Sequence, residues 1–253
     1  MEAEHNPTEY HKLEAEVTKE LSEMKRFASM EERQDSGVLP LDIISTLCHG
    51  KYQTYWRGVS LMKDPLDLTI LQQLLWELKP RTVIEFGAYK GGSALWLADM
   101  LKMYGCQSRI ISTDIDLSLL DAEAKKSKDV EFIQGDSSNI EQFFPDEFLK
   151  NLQHPWLVIE DAHVNLTGVL EYLEKFTEPG DYICVEDTNP LTPYLSNQGL
   201  VKNLGYDEIG PNKLNELRKF LTGRADRYSV DQKYTDFYGY NATWNMNGYL
   251  KRV

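Results

Sequence analysis

The chain has 253 residues, 42% of them hydrophobic, with 27 basic against 40 acidic side chains and a formal net charge of -13. That length suits one large α/β domain with a modest extension and a substantial core. The acidic balance argues against nucleic acid and anionic membranes as partners, since both call for Lys/Arg surfaces, and no run of about 18 apolar residues offers a membrane span.

The polar, acidic start MEAEHNPTEYHKLEAE does not read as a signal peptide. Residues 8–33 follow as one amphipathic helix whose apolar positions, Tyr10, Leu13, Val17, Leu21, Met24, Phe27 and Met30, step by three or four. The plain expectation is a helix packed on its own domain; the sharper one is a subunit contact or a cap over the active site. Residues 34–37 read as a loop, and KYQTYWRGV at 51–59 resists simple assignment. Residues 1–60 are therefore expected to form a helical extension or cap, and 61–253 the main domain. Asp64 followed by Pro65 starts a helix that runs to the residue before Pro80. Apolar strands are predicted at 82–86, 109–113, 130–134, 156–159 and 182–185, with helices between them, such as 93–104 and 164–176. Such alternation means a mostly parallel sheet covered on both faces. Beyond Phe220, residues 228–234 and 243–253 alternate as an antiparallel pair would, giving seven strands in all. Three scattered cysteines, Cys48, Cys106 and Cys184, read as reduced thiols of a cytoplasmic protein, with Cys184 as core filling.

The stretch RTVIEFGAYKGGSALWLA, from Arg81 to Ala98, is a buried strand, a glycine turn and the start of a helix, the unit that builds nucleotide-type cofactor sites. It does not fit G-x-G-x-x-G, because Tyr89 occupies the place of the second glycine. It does not fit the phosphate loop either, because Ser93 directly follows Gly92 and the lysine is missing. A cofactor with a ribose and a positive charge, but no phosphate, suits a turn that follows Glu85.

In open α/β sheets the chemistry lies at the carboxyl ends of the strands. Here those ends are acidic: Glu85, then Asp114 and Asp116, then Asp136 in Gly-Asp-Ser, then Glu160 and Asp161, then Glu186 and Asp187. Asp114 lies about 20 to 30 residues beyond the glycine turn, where an acid grips ribose hydroxyls. Asp116 or Ser118 serves better as a helix cap. If the last two parallel strands are neighbours, about 5 Å apart, their acids meet. Crowded carboxylates repel, and a bound divalent cation relieves the conflict; oxygen ligands with room for water or substrate describe a Mg²⁺ site. His163, two residues after Asp161, reads equally as a proton acceptor near the metal or as a polar cap. No His-x-Asp/Glu source for an iron facial triad, no H-E-x-x-H or C-x-x-C zinc pattern and no G-x-S-x-G elbow is present.

TYWRGVSLMKDPLDL, KPRTVIEFGAYKGGSALWLADML, VEDTNP and NGYLKRV, in that order, resemble the cephalosporin hydroxylase-type family, related to rhamnosyl and macrocin-type O-methyltransferases. The resemblance covers residues 51–253. It implies a Rossmann-like class I methyltransferase fold with a mostly parallel seven-stranded sheet and a terminal hairpin. It implies S-adenosylmethionine held by Glu85, Phe86, Gly87, Ala88, Tyr89 and Ser93, with the ribose on Asp114 and the adenine near Asp136 and Ser137. It places Mg²⁺ on Asp161, Glu186 and Asp187, and a base at the position of His163. Asp161 and His163 are thus the expected catalytic pair. The expected reaction is Mg²⁺-dependent methyl transfer to a hydroxyl of a small molecule, a vicinal diol or catechol-like acceptor among them. Oxygenase activity and non-catalytic cofactor binding are the rivals. Tyr52, Tyr55, Trp56, Tyr194 and Tyr240 are candidate walls of the acceptor site. Residues 188–211 depart from the family pattern and read as a lid that bears on substrate choice. Association into a homo-oligomer is expected.

Overall fold

The computed structural model describes residues 7–191 and 210–253, with side chains from residues 8 and 212 onward in those two stretches. Residues 192–209 of the predicted lid, including Tyr194, Asn197, Lys202 and Tyr206, lie outside the described residues. The strands are β1 (Phe27–Ala28), β2 (Tyr55–Trp56), β3 (Val59–Ser60), β4 (Thr82–Phe86), β5 (Arg109–Asp114), β6 (Glu131–Gln134), β7 (Trp156–Glu160), β8 (Tyr182–Val185), β9 (Tyr228–Asp231) and β10 (Tyr249–Arg252). The longer helices are α1 (Pro7–Glu23), α2 (Leu41–Lys51), α3 (Pro65–Leu78), α4 (Gly92–Met103), α5 (Leu166–Leu173) and α6 (Gly210–Leu221).

The main sheet has eight strands in the order β1-β9-β10-β8-β7-β4-β5-β6, and β2 and β3 form a separate hairpin. From β8 to β6 the pairs are parallel; β10 is antiparallel to both β8 and β9. The central strand alternates between two cores. Ile84 and Phe86 face one with α5 and α6, while Val83 faces the other with α3 and α4. Each face is sealed by helices, as continuous apolar strands require. Asp64 caps α3 by accepting the N–H groups of Leu66 and Asp67, with Pro65 at the first helical position.

Four sequence expectations change. The first helix ends at Glu23, not at residue 33. Phe27 and Ala28 instead pair with Asp231 and Val230 as an eighth strand. Arg26 secures this edge through Asp231, and Arg33 through Asp236, Asn241 and Asn247. Secondly, the apolar stripe of α1 does not pack on the domain: Tyr10, Leu13, Val17, Leu21 and Met24 are 46–64% exposed. Thirdly, residues 243–248 are loop, and only Tyr249–Arg252 continue as strand. Asp67 of α3 holds this loop, accepting from the Thr243 hydroxyl, the Trp244 N–H at 3.0 Å and the Tyr249 hydroxyl at 3.1 Å. Residues 232–235 likewise form a short helix capped by Asp231. Cys184 is buried and free, as core filling requires.

Candidate active site

The chain leaves β4 for β5 and β6 on one side, then returns to β7 and β8 on the other. The crevice at this reversal is where ligands bind in open α/β sheets. A cavity of about 690 Å³ opens there, within the usual range for small-molecule sites.

One end of the cavity is built on the glycine turn. The N–H groups of Gly87 and Ala88 both donate to the Thr113 carbonyl, at 2.8 and 2.9 Å, and the Tyr89 N–H donates to Asp114 Oδ2 at 2.7 Å. The end of β5 therefore shapes the turn after β4. Gly87 is required at φ +99°, and a Cβ there would lie 2.8 Å from the Asp161 carbonyl oxygen, so the turn also touches the loop after β7. Asp114 accepts the Asp116 N–H on its other oxygen at 3.1 Å. A carboxylate has about four lone-pair sites, so capacity for ribose hydroxyls remains. Asp116 caps the next turn through the Ser118 N–H at 2.9 Å, and Asp136 caps through the Ser138 N–H at 2.8 Å. Gly87, Ala88, Tyr89, Ser93, Asp114, Asp136 and Ser137 all line the cavity. Glu85 and Phe86 stand behind the wall. Phe86 is fully buried in the core, and Glu85 accepts the hydroxyls of Ser93 and Ser112. Burial pushes the Glu85 carboxyl up, against the opposing pull of Lys63.

At the other end β7 and β8 are parallel neighbours, with Glu160 opposite Val185, and the Glu186 N–H donates to the Glu160 carbonyl at 2.9 Å. Each acid pair divides. Glu160 is fully buried and pairs with Lys213 at 2.9 Å, away from the cavity lining, whereas Asp161 lines the cavity. Donor atoms of Asp161, His163 and Asp187 all lie within 4.8 Å of one another. His163 Nε2 is 3.2 Å from Asp187 Oδ2 and 3.7 Å from Asp161 Oδ1. His163 and Asp187 both hold left-handed backbone, at φ +56° and +57°. Non-glycine residues rarely adopt it, and such strain concentrates at functional sites. Glu186 is turned instead toward Lys63, which also lies 3.2 Å from Asp161.

Charge sets the behaviour of these acids. Burial, opposed by Lys63 but reinforced by Asp161, pushes the Glu186 carboxyl up to about 8. Burial also acts to raise Asp187, but Lys51, then His163, outweighs it and holds that carboxyl well below the usual range. Asp161 is lowered too, burial being outweighed by Lys63. Glu186 Oε1 is buried with no hydrogen-bond partner among the described residues. The Asp161 and Asp187 carboxylates converge beside His163, and Glu186, paired with Lys63, stands next to them with one oxygen unused; oxygen donors of this kind suit a Mg²⁺ ion.

Sequence reasoning missed Lys51, Lys63, Trp244 and Asn245, which also line the cavity. Lys51 pairs with Asp187 at 3.6 Å and lies 4.7 Å from the centre of the Trp244 ring. A lone lysine in sequence reads as solvated surface, so no pattern marked these positions. The four candidate aromatic walls among the described residues do not line the cavity. Tyr52 and Tyr55 are exposed, Trp56 donates to Asp99, and the Tyr240 hydroxyl accepts the Gln34 N–H; Trp244 supplies the aromatic wall instead.

A mostly parallel sheet in this order, with a glycine turn and an acid at its first two strand ends and an acid cluster at the next two, defines a Rossmann-like class I S-adenosylmethionine-dependent methyltransferase. Residues 48–253 match the family Rhamnosyl O-methyltransferase/CmcI, and the chain belongs to that family. It is 31% identical over 209 residues to the rhamnosyl O-methyltransferase of Mycobacterium tuberculosis, covering 79% of this chain and 78% of that protein. It is 34% identical over 141 residues to the rhamnosyl O-methyltransferase of Mycobacterium leprae, covering 54% of this chain and 61% of that protein. Among solved structures it is similar to CmcI with Mg and SAM, at 30% identity and a TM-score of 0.62 over 80% of this chain and 77% of that one. A CmcI structure with SAH aligns at 26% identity and a TM-score of 0.59, over 90% of this chain and all of that one. The chain is accordingly an S-adenosylmethionine-dependent O-methyltransferase. None of its described helices is long and apolar enough to cross a membrane.

Proposed function

We propose that this chain is a Mg²⁺-dependent O-methyltransferase whose acceptor is a hydroxyl of a sugar-like small molecule. The observation that carries the reading is the meeting, in one cavity, of the glycine turn and Asp114 with Asp161, His163, Glu186 and Asp187. The glycine turn, with Ser93, Asp114, Asp136 and Ser137, holds the methyl donor, and Glu85 and Phe86 support the turn from beneath. The methyl of a sulfonium is already activated, so the protein's main task is to align an acceptor oxygen behind it. Asp161, Glu186 and Asp187 would hold the Mg²⁺. When bound, that ion lowers the pKa of a hydroxyl it contacts and orients the acceptor. A hard cation prefers oxygen ligands, so His163 is read as the base and not as a metal ligand. Its contact with Asp187, 3.2 Å away, orients the ring. A rhamnosyl acceptor in the relatives supports a hydroxylated sugar here, and a CmcI structure with Mg and SAM supports the metal.

The exposed stripe of α1 supports self-association, so the chain is read as a homo-oligomer in which α1 is the extension, while residues 26–33 belong to the main sheet edge. The test of the reaction is transfer of a labelled methyl group from S-adenosylmethionine to a panel of glycosylated and diol acceptors, with Mg²⁺ and with a chelator. Metal-dependent formation of a methyl ether supports the reading. Equal turnover under both conditions removes the metal from it.

A further inference from the structure

The segment that resisted assignment in sequence, together with its flank up to residue 63, places one cation inside the acid cluster. Lys63 is 6% exposed, its ammonium lies 3.2 Å from Asp161 Oδ2, and it donates to Glu186 Oε2. Its backbone is fixed on both sides. The Lys63 N–H donates to Thr54 Oγ1 at 3.2 Å, and the next residue, Asp64, is the cap of α3. Met62 holds left-handed backbone at φ +54°. Close packing keeps the segment against α4: a Cβ on Gly92 would fall 2.1 Å from the Ser60 carbonyl oxygen, so only glycine admits this approach. A buried ammonium held this firmly has to be paired, and here both partners are proposed metal ligands.

We propose that Lys63 is a resident counter-cation of the acid cluster: it holds Asp161 and Glu186 together in the metal-free protein, and an entering divalent cation displaces it from Glu186. The proposal rests on the metal reading given above. Lysine suits the task, because its compact charge sits on a flexible four-carbon stem that can swing aside, where the planar fork of arginine grips a carboxylate with two bonds. Lys63 is thus a positioning residue. It keeps Asp161 and Glu186 converged before the metal arrives, and it lowers metal affinity by competing for them.

The test is calorimetric titration of Mg²⁺ and Mn²⁺ into wild type, Lys63→Met and Lys63→Arg, with melting of each metal-free protein. Removing a unit charge that lies next to the metal's ligands is expected to tighten metal binding on the order of tenfold. Lys63→Met should also melt lower than wild type without metal, and the metal should recover most of that loss. Lys63→Arg should bind metal no more tightly than wild type. Equal or weaker metal binding by a folded Lys63→Met protein, or tighter binding by Lys63→Arg, overturns the role of Lys63 while leaving the metal site standing. A wild type that takes up neither cation overturns the metal reading and this proposal with it. Should Lys63→Met fail to fold, the wild type with isotope-labelled lysine side chains decides. The slowly exchanging Lys63 ammonium signal must be lost or shifted on adding Mg²⁺, and a signal unchanged at metal saturation overturns the proposal.

Discussion

Asp161 is the residue on which the two halves of the site meet. Its carbonyl oxygen lies against the glycine turn, and its carboxylate faces Lys63, His163 and Asp187. Asp161→Ala should leave binding of S-adenosylhomocysteine intact and lower methyl transfer on the order of 10³-fold, since a metal site supplies several kcal/mol of charge stabilisation; calorimetry and a labelled-methyl assay separate the two effects. His163→Gln should lower kcat about a hundredfold, the usual scale for a lost general base, again with donor affinity unchanged. Glu186 gives a pH signature. Its carboxyl, raised from an ordinary 4.5 to about 8, keeps a proton in the metal-free fold over a range where the unfolded chain has released it. The folded state then binds more protons than the unfolded one, so metal-free stability falls as pH rises from about 4.5 to about 8. Asp161 and Asp187, shifted down, act in the opposite sense but below their ordinary 3.8, outside that window. Melting in chelator should therefore show a lower midpoint at about pH 8 than at about pH 5.5. The raised Glu85 and Asp67 carboxyls act in the same sense, so Glu186→Gln should reduce the dependence without abolishing it, and an unchanged slope in that variant would assign it to those groups alone.

Among the elements, the turn after β4 is the most constrained. Gly87→Ala forces a side chain into left-handed backbone and against the Asp161 carbonyl. Gly180, at φ +104°, has nothing within 4 Å of a Cβ, so Gly180→Ala carries the backbone strain alone. Strain of this kind costs about 1–3 kcal/mol. Both variants should be destabilised, but Gly87→Ala more so, and only it should weaken donor binding. The helix α1 makes a different case, since its apolar stripe is exposed and contributes little to the fold of one chain. Leu13→Lys with Leu21→Lys should leave the unfolding free energy of the single chain within about 0.5 kcal/mol of wild type, as exposed substitutions do. If the stripe joins subunits, the same variant elutes as a smaller species on sizing. Truncations should stop short of Arg26, because residues 26–33 are woven into the sheet edge through β1 and the Arg33 network.

At the scale of the whole molecule, what the sequence disclosed follows from how local each signal is. Asp64 and Pro65 announce a helix start within two residues, and continuous apolar runs with acids at their ends announce parallel strands and a crevice. Those features point to the strand ends, where Gly87, Asp114, Asp161 and Glu186 line one cavity. Non-local contacts were illegible. Phe27 keeps the helical spacing of α1, yet it serves as strand because the free edge of β9 accepts it. Thr243 alternates like a strand residue, yet Asp67 captures it, 176 positions away in sequence. Lys51 and Lys63 look like surface charges and lie inside because buried acids need partners. The aromatic residues near Lys51 were credited with a wall that Trp244 supplies. The acidic surface and the cations drawn inward belong together, since the lysines beside the acid cluster offset charge that burial would otherwise make costly.

The central claim is metal-assisted methyl transfer to a hydroxyl from a site whose donor end is the glycine turn and whose acceptor end is Asp161, Glu186 and Asp187. The most direct measurement is labelled-methyl transfer to rhamnosylated and other hydroxylated acceptors by wild type and Asp161→Ala, each with Mg²⁺ and with chelator, and with the product's new bond located by mass spectrometry. Wild type with Mg²⁺ should form an ether, and the other three conditions should give near-background transfer. Transfer that persists in chelator and in Asp161→Ala, or a methyl group found on an atom other than oxygen, would contradict it.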